Sequence, residues 1–428
     1  MSYDVAAIRA CFPALAEGAA HFDGPGGTQV PEVVGQAVAR TLTAAVANRG
    51  TVTPAERRAE TVVAQCRAAL ADLLGADPGG IVFGRSATAL TYEVSRALAK
   101  QWGPGDEVVV TRLDHDANVR PWVQAAESVG ATVRWAGFDP ATGEQQVDDV
   151  APLLSERTRL VAITAASNLI GTRPPVHQIA DRVHDAGALL WVDGVHATAH
   201  APVDLAALGA DVWTCSPYKF LGPHCGVAAA DPALLATLHP DKLLPSTQDV
   251  PERFELGTLP YELMAGTTAA VEFLAWLGRS GEEPAPTWTD PLGAADGARE
   301  DGIPAGSAGT DRRARLLASF EALEDHEAAL LARAEKEIRA LPGVTVHSNA
   351  VARTPTLLLT FADRDAHDVR RALADREVNA PAGHFYAIEC SRHLGLGDAG
   401  GLRVGLAPYT DEGDVDRLLE GLADVTAG

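Results

Sequence analysis

Lys219 stands in CSPYKFLGPHCG (215–226), among aromatic, proline and glycine neighbours that offer an ammonium group neither water nor a mobile stem. Desolvation disfavours the charged amine, and a neutral lysine is a nucleophile that condenses with aldehydes. A lysine that snorkels its ammonium out to water fits the same residues. Upstream, the apolar run LLWV ends at Asp193, followed by Gly194 and then His196. An acid there can hold a proton on a ring nitrogen, and the imidazole three residues on can turn toward the same ligand. The simpler role for Asp193 is to cap the next segment. His196 and His200, in HATAH, also have the spacing that sets two imidazoles on one helix face in zinc peptidases. The glutamate that would act as base is missing and no third ligand is evident, so no metal is expected.

Two further groups fall at strand ends. In FGRSATALTYEV a strand ends at Phe83 and a helix begins near Ser86, with small residues and the hydroxyl of Thr88 in its first turn. Unpaired first-turn amides bind anions, and small side chains let a phosphate approach; Ser86 serves equally as a plain N-cap. In LDHDANVRPW, His115 follows the strand EVVVTR and is flat enough to stack on a planar ligand, or to be an ordinary loop histidine. A phosphate nest, a strand-end acid, a stacking imidazole and a lysine about two dozen residues beyond the acid are together what pyridoxal 5'-phosphate requires.

The elements that must position these groups read as an α/β fold. From about 80 to 230, apolar runs (GIVFG, EVVVTRL, TVRWAGF, RLVAITAAS, LLWVDG, DVWTCS, GVAAAD) alternate with helical patterns, as in a mostly parallel sheet, whose ligands lie at the carboxyl ends of strands. Residues 279–310, rich in Gly, Pro, Ala and acids, read as a flexible insertion or lid, or as a linker without function. Beyond them a long helical pattern from Asp311 gives way to TPTLLLTFAD, AHDVRRALADRE, GLRVGLAPY and DEGDVDRLLEGLADV, a smaller α+β unit. The expected division is an N-terminal segment 1–20 packing with the small domain, a large domain 21–278, the insertion, and a small domain 311–428. With 428 residues, 46% apolar, the chain can bury a large core. A formal charge of −22 opposes attraction to nucleic acid or anionic lipid. No apolar run reaches the ~20 residues of a membrane span, and the N-terminus lacks a secretory pattern, so a cytoplasmic protein is expected. The five cysteines are scattered and read as reduced thiols.

The chain resembles the class V aminotransferase family of fold type I pyridoxal-phosphate enzymes, near its cysteine desulfurase and selenocysteine lyase branch, from HFDGPGGTQVP through to GLRVGLAPYTDEGDVDRLL. VDGVHA followed by SPYKFLGPHCG carries most of the likeness. The resemblance implies a large domain with a mostly parallel seven-stranded sheet and a smaller α+β domain. It implies that Lys219 holds the internal aldimine, Asp193 pairs with the pyridinium nitrogen and His115 stacks on the ring. Asn168 and His196 would lie by the phenolic oxygen, and Ala87, Thr88, Ser216 and Tyr218 would hold the phosphate. Thr258 would reach the site of the other subunit of a homodimer. Arg403 would clamp the carboxylate of a small amino-acid substrate, with Arg49 a second candidate.

One departure bears on the chemistry. The loop that supplies the sulfur-accepting cysteine in desulfurases is matched by NAPAGHFYAIEC, where Tyr386 takes the cysteine position and Pro381 the place of a carboxylate-binding arginine. A phenol cannot carry a persulfide, and Cys390 could serve only with a shifted loop. Tyr386 is expected to shape the substrate pocket or donate a hydrogen bond instead. The leading expectation is therefore β-elimination from a cysteine-like amino acid, with transamination next and epimerisation third. A non-catalytic scaffold would be expected to lose Lys219 or Asp193 first, and both are present. A nicotinamide dehydrogenase would need GxGxxG after its first strand, and GPGG at 24–27 has the wrong spacing.

Overall fold

The computed structural model describes residues 2–288 and 309–427. After a short strand, β1 (Ala20–His21), the chain builds a seven-stranded sheet from β2 (Ile81–Gly84), β3 (Glu107–Thr111), β4 (Thr132–Ala136), β5 (Thr158–Thr164), β6 (Leu189–Asp193), β7 (Val212–Cys215) and β8 (Gly226–Ala230), in the order β2-β8-β7-β6-β5-β3-β4. Only β8 runs against its neighbours, so the other strands point their carboxyl ends the same way. Val109, Val161 and Ile163 enter the core on one face, while Val108, Val110, Leu160 and Ala162 enter the core on the other. Burial on both faces is why these strands appear in the sequence as unbroken apolar runs rather than alternating ones.

The helices over the sheet have local causes. Helix Pro54–Leu74 starts on a capping box, with Thr53 accepting from Glu56 N and Glu56 reaching back, and stops at Gly75 in the left-handed conformation (φ 59°). Helix Ala87–Ala99 is capped by Ser86, whose hydroxyl accepts from Ala89 N at 3.1 Å. The edge strand β2 is tied down by a buried pair: Glu255 accepts from Phe83 N at 3.0 Å and pairs with Arg67 at 2.9 Å.

A second, antiparallel sheet, in the order β12-β13-β10-β9, comprises β9 (Val344–Val346), β10 (Thr356–Phe361), β12 (Ala382–Gly383) and β13 (Gly401–Gly405), while β11 (Val378–Asn379) pairs in parallel with β1. Helices Ala366–Ala374 and Glu412–Ala427 enclose a separate core with this sheet, and the long helix Gly309–Ala340 reaches from it to the larger one. The first twenty residues touch both parts. Arg9 pairs with Asp411 at 3.0 Å and donates to Tyr409 O at 2.6 Å, while Ile8 and Phe12 join the core of the large sheet. Of the segment read as an insertion, 289–308 lies outside the described residues; Leu277–Arg279 forms a single 3-10 turn before it.

Gly226 opens β8 against the start of helix Ala87–Ala99, where a Cβ would stand 2.2 Å from the carbonyl carbon of Ser86 and 2.5 Å from Ala87 N. Backbone cannot yield there as a side chain can. Gly226→Ala is expected to lower stability by about 1–3 kcal/mol, as overpacking does. A urea midpoint equal to that of the parent chain would refute this close packing.

Candidate active site

The carboxyl ends of β3, β5, β6 and β7 and the start of helix Ala87–Ala99 bring most of the expected residues to one side of the large sheet. Lys219 ends the 3-10 turn Pro217–Lys219 that follows β7. Its Nζ donates to the carbonyl of Pro25 and lies 5.0 Å from the centroid of the Tyr218 ring. Burial first, then the charge of Arg403, lowers the amine's pKa from its ordinary value to about 7, with Asp193 pulling weakly the other way. Asp193 ends β6 and is itself buried; Oδ1 accepts from Val195 N at 2.8 Å, and burial raises its pKa to about 6 against that hydrogen bond and Lys219.

His115 caps the turn after β3 by accepting from Ala117 N at Nδ1 (3.0 Å), which leaves its proton on Nε2. Burial, with Lys219 and Arg403 nearby, keeps the ring neutral, its pKa lowered to about 4. His196 is likewise held neutral, by burial and then by its neighbours His200, Lys219 and Arg403. Its Nε2 meets the hydroxyls of Thr354 (2.9 Å) and Thr356 (3.1 Å), next to and on the small sheet. His200 does not share a ligand with it: the rings meet edge to face at 4.9 Å, and His200 Nδ1 bonds the buried carboxylate of Glu327 at 2.9 Å.

Arg403, on β13, is buried and donates from Nη1 to the carbonyl of Asn168 at 2.9 Å. Asn168 Nδ2 donates in turn to the carbonyl of Phe385 at 3.0 Å, and the Phe385 ring lies 3.7 Å from Arg403 Cζ. Burial lowers the guanidinium's pKa to about 9, with Asp23 opposing. Arg403 N bonds the carbonyl of Pro381 at 2.8 Å, so that proline contributes backbone where an arginine side chain was sought. Tyr386 is 71% exposed, and its ring is tilted beside His115 at 5.4 Å.

Ser216 is buried and its carbonyl accepts from Lys219 N at 3.0 Å, while Tyr218 stacks on His224 at 4.7 Å. The hydroxyl of Ser86 is engaged as a cap, yet the amides of Ala87 and Thr88 precede the first intrahelical donor, Leu90 N to Ser86 O. Thr258 is exposed. The Arg49 guanidinium is engaged by Glu60 at 2.7 Å and Glu252 at 2.9 Å, not by a residue of the cluster. Cys390 is buried among Leu113, Phe138 and Leu169, where burial pushes its thiol far up.

Two contributors were not apparent from sequence. The carbonyl of Pro25 and the ring of Phe385 act through a backbone atom and an aromatic face, and neither residue type signals such a role. The available signal was DGPGG, in which Gly27 (φ 156°) lies against Tyr218 and Gly26 against the Arg403 guanidinium, at distances a side chain would crowd.

The donor set fits pyridoxal phosphate. Arg403 Nε and Asn168 Oδ1 are buried without a hydrogen-bond partner among the described residues, beside a lysine whose amine is easily neutralised and a buried carboxylate. Lys219 would hold the aldehyde, Asp193 the ring nitrogen, His115 the ring face and Ala87, Thr88 and Ser216 the phosphate.

Comparison with known proteins agrees with this fit. The profile of the aminotransferase class-V family matches residues 20–282 and 304–418, leaving 283–303 as additional chain. An uncharacterized protein of Mycobacterium tuberculosis is 32% identical over 99% of this chain and 100% of its own length. An aminotransferase-like protein of Gibberella zeae is 29% identical over 98% of both chains. The crystal structure of a cysteine desulfurase from Escherichia coli shares the fold, with a TM-score of 0.81 over 100% of this chain and 99% of that one, at 24% identity.

Because its pKa is depressed to about 7, Lys219 gains reactivity as pH rises from 6 to 8, where an ordinary lysine is still almost wholly charged. Competitive acylation of the cofactor-free chain, read peptide by peptide in a mass spectrometer, should show this midpoint at Lys219, with Lys100, Lys242 and Lys336 as internal references. A midpoint above 9 would contradict the desolvation described here.

Proposed function

The chain belongs to the class V aminotransferase family of pyridoxal-phosphate enzymes, and on that footing we propose that it eliminates the β-substituent of a cysteine-like amino acid. One observation carries the choice. Lys219, Asp193 and Arg403 keep the groups for chemistry at an amino acid's α-carbon, while the thiol closest in sequence to the loop position of Tyr386, that of Cys390, is buried and inert. Elimination needs no protein thiol, whereas persulfide formation does. Names given to related chains, aminotransferase-like protein and cysteine desulfurase, span the same range of chemistry.

Arg403 binds the α-carboxylate through its free Nε edge, since Nη1 is already held by Asn168. Asp193 keeps a proton on the cofactor's ring nitrogen, and a buried carboxylate does so strongly because little water screens it. When bound, pyridoxal phosphate supplies an electron sink for the pair left on the α-carbon. Lys219 Nζ, neutral above about pH 7, takes the α-proton and returns it to the departing sulfur. The Cβ–S bond breaks with its electron pair on sulfur, and water converts the released enamine to pyruvate and ammonium. No oxidant or reductant is needed.

A homodimer belongs to the same proposal. Leu42, Val52, Leu243, Leu244 and Leu256 stand exposed on the single chain, and exposed Thr258 follows Leu256 by two residues. Large apolar side chains in such number suit a covered face, and a second copy seated there would bring its Thr258 to this chain's phosphate site. Among the described residues no helix is long and apolar enough to cross a membrane.

The holoenzyme is expected to form pyruvate together with a free thiol or sulfide from cysteine-type substrates without any keto-acid acceptor. Turnover that requires an acceptor would replace elimination by transamination. Lys219→Ala should lose about 10²–10⁴-fold or more in kcat, the usual worth of a positioned acid-base group. Sedimentation equilibrium should return twice the chain mass, and a monomer at micromolar concentration would remove the role given to Thr258.

A further inference from the structure

Phe385 and Tyr386 are consecutive residues in the left-handed region, with φ of 49° and 61°. Bulky side chains avoid that conformation, so it persists only where surrounding contacts over-determine it. They do so here. Asn168 Nδ2 holds the carbonyl of Phe385 at 3.0 Å, Asp116 N holds that of Tyr386 at 2.8 Å, and Tyr386 N bonds His384 Nδ1 at 3.2 Å. Just beyond, Glu389 on helix Ile388–His393 pairs with both Arg120 and Arg112, fastening the loop's far end to the large sheet's side. The effect of this backbone is to turn two neighbouring rings to different targets: Phe385 onto the face of Arg403 and Tyr386 beside His115.

Those contacts limit how a substrate enters. With one face of the guanidinium under Phe385 and Nη1 on Asn168, the buried Nε, without a partner among the described residues, is a donor left for the α-carboxylate. A carboxylate held there stands beside the Phe385 ring, and the next residue, Tyr386, sets a second ring on the His115 side of the site. A thiolate, sulfinate or carboxylate on the β-carbon would lose hydration against aromatic carbon. A thioether carrying an alkyl or aryl group would gain buried area and a sulfur–aromatic contact.

We propose that Phe385 and Tyr386 are specificity-determining residues that select amino acids with a neutral, apolar β-thioether, of the S-alkyl- or S-aryl-cysteine class, over free cysteine and acidic analogues. Turnover of such substrates rests on the elimination chemistry proposed above; their selection does not.

The test uses the holoenzyme with S-benzyl-cysteine, cysteine and cysteine sulfinate as substrates, and the α-methyl derivatives of the first two as ligands that cannot lose an α-proton. Binding is read from the change in cofactor absorbance on titration and turnover from pyruvate. The expected result is a preference of about tenfold or more for the benzyl thioether in both kcat/KM and dissociation constant, the scale a hydrophobic pocket provides. In Phe385→Ala and Tyr386→Ala that preference should fall below about threefold, with Phe385→Leu intermediate, since each ring contributes only part of the wall. Urea midpoints identify any variant that fails to fold, in which case Phe385→Leu alone decides. Equal or tighter binding of the small or acidic ligands to the parent enzyme would overturn the proposal. So would a Phe385→Ala variant that weakens all ligands by the same factor, because the ring would then act on Arg403 alone. A binding preference without pyruvate from any substrate would sustain the selection and overturn the elimination.

Discussion

An amine kept from water organises this protein. Removing Lys219 from solvent raises the cost of its ammonium form, and the positive Arg403 nearby adds to that cost. A fold that did this without recompense would simply lose stability. Here the amine finds the carbonyl of Pro25 and the field of Asp193, and Asp193 is shifted in its turn by the same burial. The two groups are poised within a few pH units of each other, which suits a site where one must give up a proton and the other must hold one in place.

The large sheet provides the rigidity this requires. Its central strands are buried on both faces, so their ends cannot drift, and Asp193, His115 and Lys219 each sit within a few residues of such an end. The smaller sheet carries the residues proposed to meet the substrate: Arg403 from β13 and, through the loop after β12, Phe385 and Tyr386. Asn168 joins the two parts, its main-chain oxygen on Arg403 and its side chain on Phe385. On the proposed reading, the labour divides between a wall around the cofactor and a cover that recognises what is brought to it.

Much of the large sheet was legible in the sequence because doubly buried strands leave continuous apolar runs, and Asp193 was noticed because it ends one, Lys219 and His115 because they follow such runs by a few residues. Other elements left weaker traces. Helix Tyr261–Trp276 is apolar nearly all round, so it has no stripe for a helical period to reveal. The partners of His196 were out of reach for a different reason: Thr354 and Thr356 lie 158 and 160 residues away, and nothing local distinguishes them from any other threonine. Phe385 and Pro25 share that limitation, since a ring face and a carbonyl oxygen belong to no motif.

The imidazole of His196 hangs from the loop after a strand of the large sheet, yet its Nε2 is tethered to hydroxyls at the start of β10 in the small one, and its neighbour His200 is tied to Glu327 on the long helix. The ring thus links the small sheet to the loop that follows Asp193, so the two parts of the chain share a polar contact beside that strand end.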